Sequence, residues 1–309
     1  MQVHLPYYLP WRILLPSPYL STFSALQPVP ALVSESSPAA VRAKFRMVFV
    51  NATACYLVAY QLVTLVYQAG TALMARRQGV PGTWSLSGVH FELGDSAWRQ
   101  NMVVAVYGAG PALALGLGAL AFGVFWKRQR HRRGLAKLLL FWLVLHAMSA
   151  VFGGLLADTV TQSGSWYVPN WLLGGGGTWP SAVLGLLLAA GQLVVGYLAA
   201  IPFLVAQDSH TVLQFERRGQ LVRATILGPW LVSSLLLACS HLPYLNINEC
   251  LRYGVMALLV GPLALGCLQE SFSQKKWTPS PTRVAWGLLG LALLALVAWR
   301  LALAGGVRL

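Results

Sequence analysis

Charge, and acid above all, is what this 309-residue sequence has least of: eight Asp and Glu stand against 22 Lys and Arg, and charged residues make up only 10%. Soluble chains carry about a quarter charged residues, so too few are present here to coat a water-facing surface. A soluble two-domain protein, which the length alone would allow, is excluded. No Cys-x-x-Cys, glycine-rich phosphate loop or Ser-His-Asp arrangement occurs either. Of the four cysteines, Cys55 and Cys267 fall in apolar runs and read as packing residues. Cys239 and Cys250 flank one short polar segment, as a disulfide or as two free thiols.

What is present is apolar: 57% hydrophobic residues and a mean hydropathy of +0.62. With that hydropathy the formal charge of +14 does not point to nucleic acid. Seven stretches reach the roughly 20 residues needed to cross a hydrocarbon core, at 47–74, 101–126, 135–160, 183–207, 224–242, 251–269 and 284–303. Lipid offers no partner to an unpaired backbone amide, so each is expected to be a helix in an all-α polytopic domain spanning 47–309, embedded in a lipid bilayer.

The basic residues cluster on alternate loops: Lys127, Arg128, Arg130, Arg132, Arg133 and Lys137 after the second span, Arg217, Arg218 and Arg223 after the fourth, Lys275, Lys276 and Arg283 after the sixth. The other side carries only Arg76, Arg77, Arg99, Arg252, Arg300 and Arg308. This bias predicts a cytoplasmic N-terminus and an outside C-terminus. Residues 1–46 form a Pro-rich extension; the prolines fit neither a continuous helix nor the core of a secretory signal. Direct insertion into the plasma (inner) membrane, with the first span as anchor, is expected. The basic cluster 127–133 serves topology and would also suit anionic headgroups.

The first span ends Tyr67-Gln68-Ala69-Gly70-Thr71-Ala72-Leu73-Met74-Ala75-Arg76-Arg77-Gln78-Gly79-Val80. This resembles the motif helix of intramembrane zinc metalloproteases of the site-two-protease type, which runs His-Glu-x-Gly-His, then Ala-Leu, small and basic residues, and Gly-Val. In that motif two His at i and i+4 share a helix face and bind Zn²⁺ while the Glu is general base. The likeness continues through the strand-like segment 81–95 and Gly108-Ala109-Gly110-Pro111, covering about residues 60–120. Tyr67 stands at the first ligand position, Gln68 at the base and Thr71 at the second ligand position. A phenol and a threonine hydroxyl are poor zinc ligands at neutral pH, and an amide takes no proton. The resemblance therefore implies a scaffold without its zinc or its catalysis. The family's third ligand is an Asp in a Pro-Leu-Asp-Gly turn; that turn is absent, and Asp158, at the end of the third span on the same side as 67–71, is its candidate remnant.

Other ionisable residues compete for attention. His146 lies near the middle of the third span, where such a group is a functional candidate by default; a neutral imidazole bonded to a neighbouring helix is the plainer reading. Asp158 is 12 residues on, ~18 Å along the helix and turned by ~120°, so the two are not expected to share a ligand directly. His90, Glu92 and Asp95 in the first loop of the basic-poor side would suit a metal or proton site, or form a solvated loop. Pro111, Pro202, Pro229 and Pro262 interrupt four spans, as in transporters with midplane sites, although membrane helices tolerate proline generally. Gly174–Gly177, between Trp171 and Trp179, reads as a flexible loop inside an aromatic belt.

The expectation is thus a non-enzymatic integral membrane protein on a site-two-protease-like scaffold, with no cofactor, that binds a transmembrane protein partner. The alternative is a small-solute transporter or channel using the kinked helices and His146. A lipid-modifying enzyme would need an acid–base pair, and none is evident.

Overall fold

A computed structural model describes residues 37–172, 177–208, 213–269 and 282–309; most of the N-terminal extension, most of the Gly174–Gly177 run, and Lys275 and Lys276 lie outside them. Seven helices among these residues are long and apolar enough to cross a bilayer: α1 Pro38–Arg77, α2 Gln100–Gln129, α3 Ala136–Thr161, α4 Thr178–Ala206, α5 Phe215–His241, α6 Ile247–Cys267 and α7 Trp286–Leu303. The chain is an all-α polytopic membrane protein. Each expected span falls on one of these helices. The largest differences are at α1 and α5, each of which begins nine residues before its apolar run. Pro38 starts α1, where a missing N–H costs nothing, and Arg42, Lys44 and Arg46 continue the helix beyond the apolar stretch.

Lipid supplies no hydrophobic force between helices, so packing depends on close backbone approach at small residues. The α1–α2 seam shows this. Gly110 of α2 lies against Tyr67 and Thr71 of α1, and Gly70 of α1 lies against Ala109 and Leu113 of α2. Gly196 of α4 sits against the Leu259 backbone of α6. Around α1, the most buried helix, pack α2, α3, α5 and α7. Large apolar side chains such as Leu186, Leu187 and Leu301 point outward, as a lipid-facing surface requires.

After α1, the left-handed Gly79 turns the chain into the hairpin β1 Gly82–Ser85 and β2 Gly88–Phe91, in register Thr83↔His90. This is the expected strand-like segment. The C-terminal Val307–Arg308, β3, adds to its other edge with Thr83 opposite Arg308. Trp84 of β1 anchors the hairpin by donating from Nε1 to Gln68 Oε1 at 2.6 Å.

Two local features position the site. The segment Asn246–Glu249 forms a capping box: Asn246 Oδ1 accepts from the Glu249 N–H at 2.8 Å, and the Glu249 carboxylate accepts from the Asn246 N–H at 3.3 Å. It separates α5 from α6 and starts α6 abruptly. In α3, residues Ser149–Gly153 form a π-helical turn, a device that shifts the phase of everything after it.

Candidate functional site

A cavity of about 800 Å³ opens near the hairpin and runs inward to Tyr56 and His146. It is walled by α1, α2, α3, α5, α6, the hairpin and the short helix Tyr167–Leu172, with Leu296 and Trp299 of α7 also in its lining. Tyr67, Gln68, Thr71, His90, Asp95, His146 and Asp158 all line it, whereas Glu92 does not.

At its centre Asp158 is fully buried. An isolated carboxylate there would be strongly disfavoured, so every lone pair needs a donor. Oδ1 accepts from Arg252 at 2.7 Å and from Asn248 at 2.9 Å; Oδ2 accepts the Ser165 N–H at 2.8 Å. The loop that delivers Ser165 folds back through two left-handed residues, Gln162 and Gly164. Gly164 is doubly constrained, since a Cβ would stand 2.7 Å from Asp158 Oδ2. Asn248 Nδ2 also lies 2.8 Å from both Thr161 Oγ1 and Ser163 Oγ. Its two hydrogens serve two of these three acceptors at a time.

The motif helix joins the same network. Tyr67 Oη is 2.5 Å from Ser165 Oγ, and its ring lies 5.8 Å beneath the Arg252 guanidinium. Gln68 is bonded to Trp84, and the Thr71 hydroxyl donates to its own helix at Tyr67 O, 3.2 Å away. Tyr67 and Asp158 are thus linked both through Ser165 and through Arg252.

Deeper in, His146 is boxed by aromatic rings: Tyr56 edge-on at 4.3 Å, Tyr60 at 5.6 Å and Trp142 at 5.9 Å between centroids. The residue is only 5% exposed, yet its Nε2 has no hydrogen-bond partner among the described residues. Its ring is also hydrogen-bonded to the Tyr56 backbone on α1, the neighbouring-helix bond of the plainer reading, and Nε2 is the atom left over. Beside it, Tyr253 links Tyr60 and His241: its hydroxyl is 3.4 Å from Tyr60 Oη and 2.9 Å from His241 Nδ1.

His146 and Asp158 line one cavity in spite of the 120° expected between them in a regular helix. The π-helical turn at Ser149–Gly153 lies between the two and winds more widely, which retards the helical phase. His90 and Glu92 do not converge. His90 Nε2 is 2.7 Å from Ser87 Oγ, and Glu92 accepts instead from Thr83 at 3.1 Å. Cys239 and Cys250 are exposed free thiols.

Arg252, Asn248, Ser165 and Tyr253 were not singled out from the sequence. One signal was available for Arg252, an arginine inside an expected span. Compared with protein-family models, with curated proteins and with solved structures, the chain matches none of them.

Proposed function

We propose that this chain is a plasma (inner) membrane protein on a site-two-protease-like scaffold that has no proteolytic chemistry and acts by binding a membrane partner at the hairpin-covered cavity. The observation that carries this reading is the Arg252–Asp158 pair. The four positions matched to the family's ligands and base, Tyr67, Gln68, Thr71 and Asp158, line one cavity, which supports the scaffold. Each is committed to a neighbour, which supports the loss of chemistry. A guanidinium 2.7 Å from the only carboxylate among the four would repel a dication placed there. The donors are also of the wrong kind: two hydroxyls and a carboxamide in place of imidazoles and a general base. These residues do not fit zinc.

Metal analysis of purified protein after exposure to zinc tests the proposal. The expected result is far less than one zinc per chain, unchanged by Asp158→Ala. Stoichiometric zinc that disappears in Asp158→Ala or His90→Ala would overturn it.

A second reading, a small-solute transporter or channel, is favoured by one observation: the unpartnered His146 Nε2 at the inner end of the cavity. Solute flux in proteoliposomes that is unaffected by His146→Ala would count against it.

A further inference from the structure

The cavity is anionic in a protein that is otherwise strongly basic. Its lining includes three of the eight acidic residues, Asp95, Asp158 and Glu249, against one basic residue, Arg252. Arg252 is neutralised by Asp158. The positive end of α6, roughly half a charge, faces its own capping carboxylate Glu249. An excess of negative charge therefore remains, and low-dielectric walls concentrate its field.

Of the four unpaired buried polar atoms on residues that line it, one is a donor, Arg252 Nε, and the other three carry the same sign as the carboxylates. Gln61 donates from Nε2 to Ala292 O at 3.0 Å, which fixes its amide orientation. Its Oε1 is then an acceptor, buried and without a partner among the described residues. Asn170 Oδ1, on the short helix Tyr167–Leu172, is in the same condition, as is His146 Nε2. All three residues line the cavity. A buried acceptor left unbonded costs about 1–3 kcal/mol, so a ligand bearing N–H donors would relieve the defect. The remaining wall mixes aliphatic side chains with aromatic ones, with Tyr56, Tyr60, Tyr107, Tyr253, Trp98 and Trp299 among its rings. Aromatic faces attract cations, and most strongly where water is excluded.

We infer that the cavity binds an organic ammonium ion: a protonated amine with free N–H groups, carried on an apolar body. Carboxylate excess attracts the charge, the Gln61 and His146 acceptors take its N–H bonds, and the tyrosine rings cover its carbon skeleton. A cavity of about 800 Å³ lies within the range of sites for whole organic molecules. The inference deepens the binding reading above. It requires that the cavity be a ligand site, and it is independent of the protease resemblance. Two sources share this chemistry, a free amine and the head of an aminophospholipid.

The test uses the full chain in nanodiscs of phosphatidylcholine alone, with 2-phenylethylammonium as probe and calorimetry as readout. The neutral 3-phenylpropan-1-ol and the anionic 3-phenylpropionate serve as matched controls. Saturable binding of the ammonium, at least about tenfold tighter than either control, or about 1.4 kcal/mol, is expected. Glu249→Gln and Asp95→Asn should each weaken it several-fold, and Tyr60→Leu more, in protein that still elutes as a monodisperse species. Equal or tighter binding of the carboxylate overturns the proposal, as does ammonium binding unaffected by all three substitutions. Repeating the titration with phosphatidylethanolamine in the disc separates the sources: competitive loss of probe binding assigns the lipid head, and unchanged binding assigns the free amine. Stoichiometric zinc in the same preparation would sink the non-catalytic reading while leaving the ammonium result to stand or fall alone.

Discussion

Arg252 and Asp158 form an unequal ion pair: the carboxylate is fully buried, while the arginine side chain is 37% exposed at its 2.7 Å contact. The asymmetry decides which partner the fold depends on. Removing the guanidinium leaves a buried anion with only the Ser165 N–H and Asn248 as donors. Breaking a buried pair in this way costs about 3–5 kcal/mol. Removing the carboxylate charge leaves a cation that reaches water and the Tyr67 ring. Arg252→Met is therefore expected to destabilise the protein more than Asp158→Asn does. The double variant should lie close to Asp158→Asn alone, since the two share one interaction. Unfolding in mixed micelles measures all three; equal losses in the two single variants would contradict the assignment.

The α1–α2 seam makes a second prediction. A Cβ on Gly110 would stand 2.6 Å from Thr71 Oγ1 and 2.9 Å from the Tyr67 carbonyl oxygen. The backbone atom cannot yield as a flexible side chain would, so Gly110→Ala must part the helices. Overpacking of this kind costs about 1–3 kcal/mol. Gly116 on the same helix has nothing within 4 Å of its Cβ position. Gly116→Ala should be neutral or slightly stabilising through backbone entropy. A thermal unfolding comparison of the two variants separates seam packing from a general effect of alanine.

Gln192 on α4 is fully buried, and neither amide atom has a hydrogen-bond partner among the described residues. Unlike Gln61, it does not line the cavity, so nothing suggests a ligand for it. Replacement by an apolar side chain of similar length removes the desolvation penalty without leaving a void. Gln192→Met is expected to stabilise the fold by about 1–3 kcal/mol. A loss of stability would mean that the amide takes partners that this arrangement does not include.

Seven spans were legible because hydropathy averages over a whole helix, and lipid-facing leucines dominate that average. The hairpin was legible from its order after the motif helix. The cavity was legible only in fragments, because its polar residues enter one at a time from several helices and a hairpin. Tyr67 and Asp158 were placed on the same side of the membrane, but the bridge between them is Arg252, and a count of basic residues treats that arginine only as a topology marker. His146 was expected on a different face from Asp158, yet the two line one cavity. The reason is the π-helical turn at Ser149–Gly153, which has no reliable sequence signature and rephases the helix by a local change in hydrogen bonding. Where spacing rules assume a regular helix, one such turn between two residues is enough to defeat them.

The last helix is the least embedded of the seven, with Ala292 and Leu303 its buried apolar residues. Beside the packing of Leu288, Ala292 and Leu296 on the core, its attachment to α1 is polar. Asn51 donates from Nδ2 to the Arg283 carbonyl at 2.8 Å and accepts the Ala285 N–H on Oδ1 at 2.8 Å. One buried side chain thus satisfies two backbone groups just before the first turn of α7, where no intrahelical partner exists. Asn51→Val removes both bonds and leaves an unpaired N–H and C=O against apolar walls. Each lost backbone partner costs about 1–3 kcal/mol if it stays buried, so the cheaper response is for the start of α7 to lift away and hydrate. The expected outcome is local: faster hydrogen exchange at residues 283–289, with exchange in α3 and α6 unchanged. Arg300, near the other end, donates to the Ser240 and Leu242 carbonyls and should hold that end in place. Uniformly faster exchange across all seven helices would instead make Asn51 a determinant of the whole bundle.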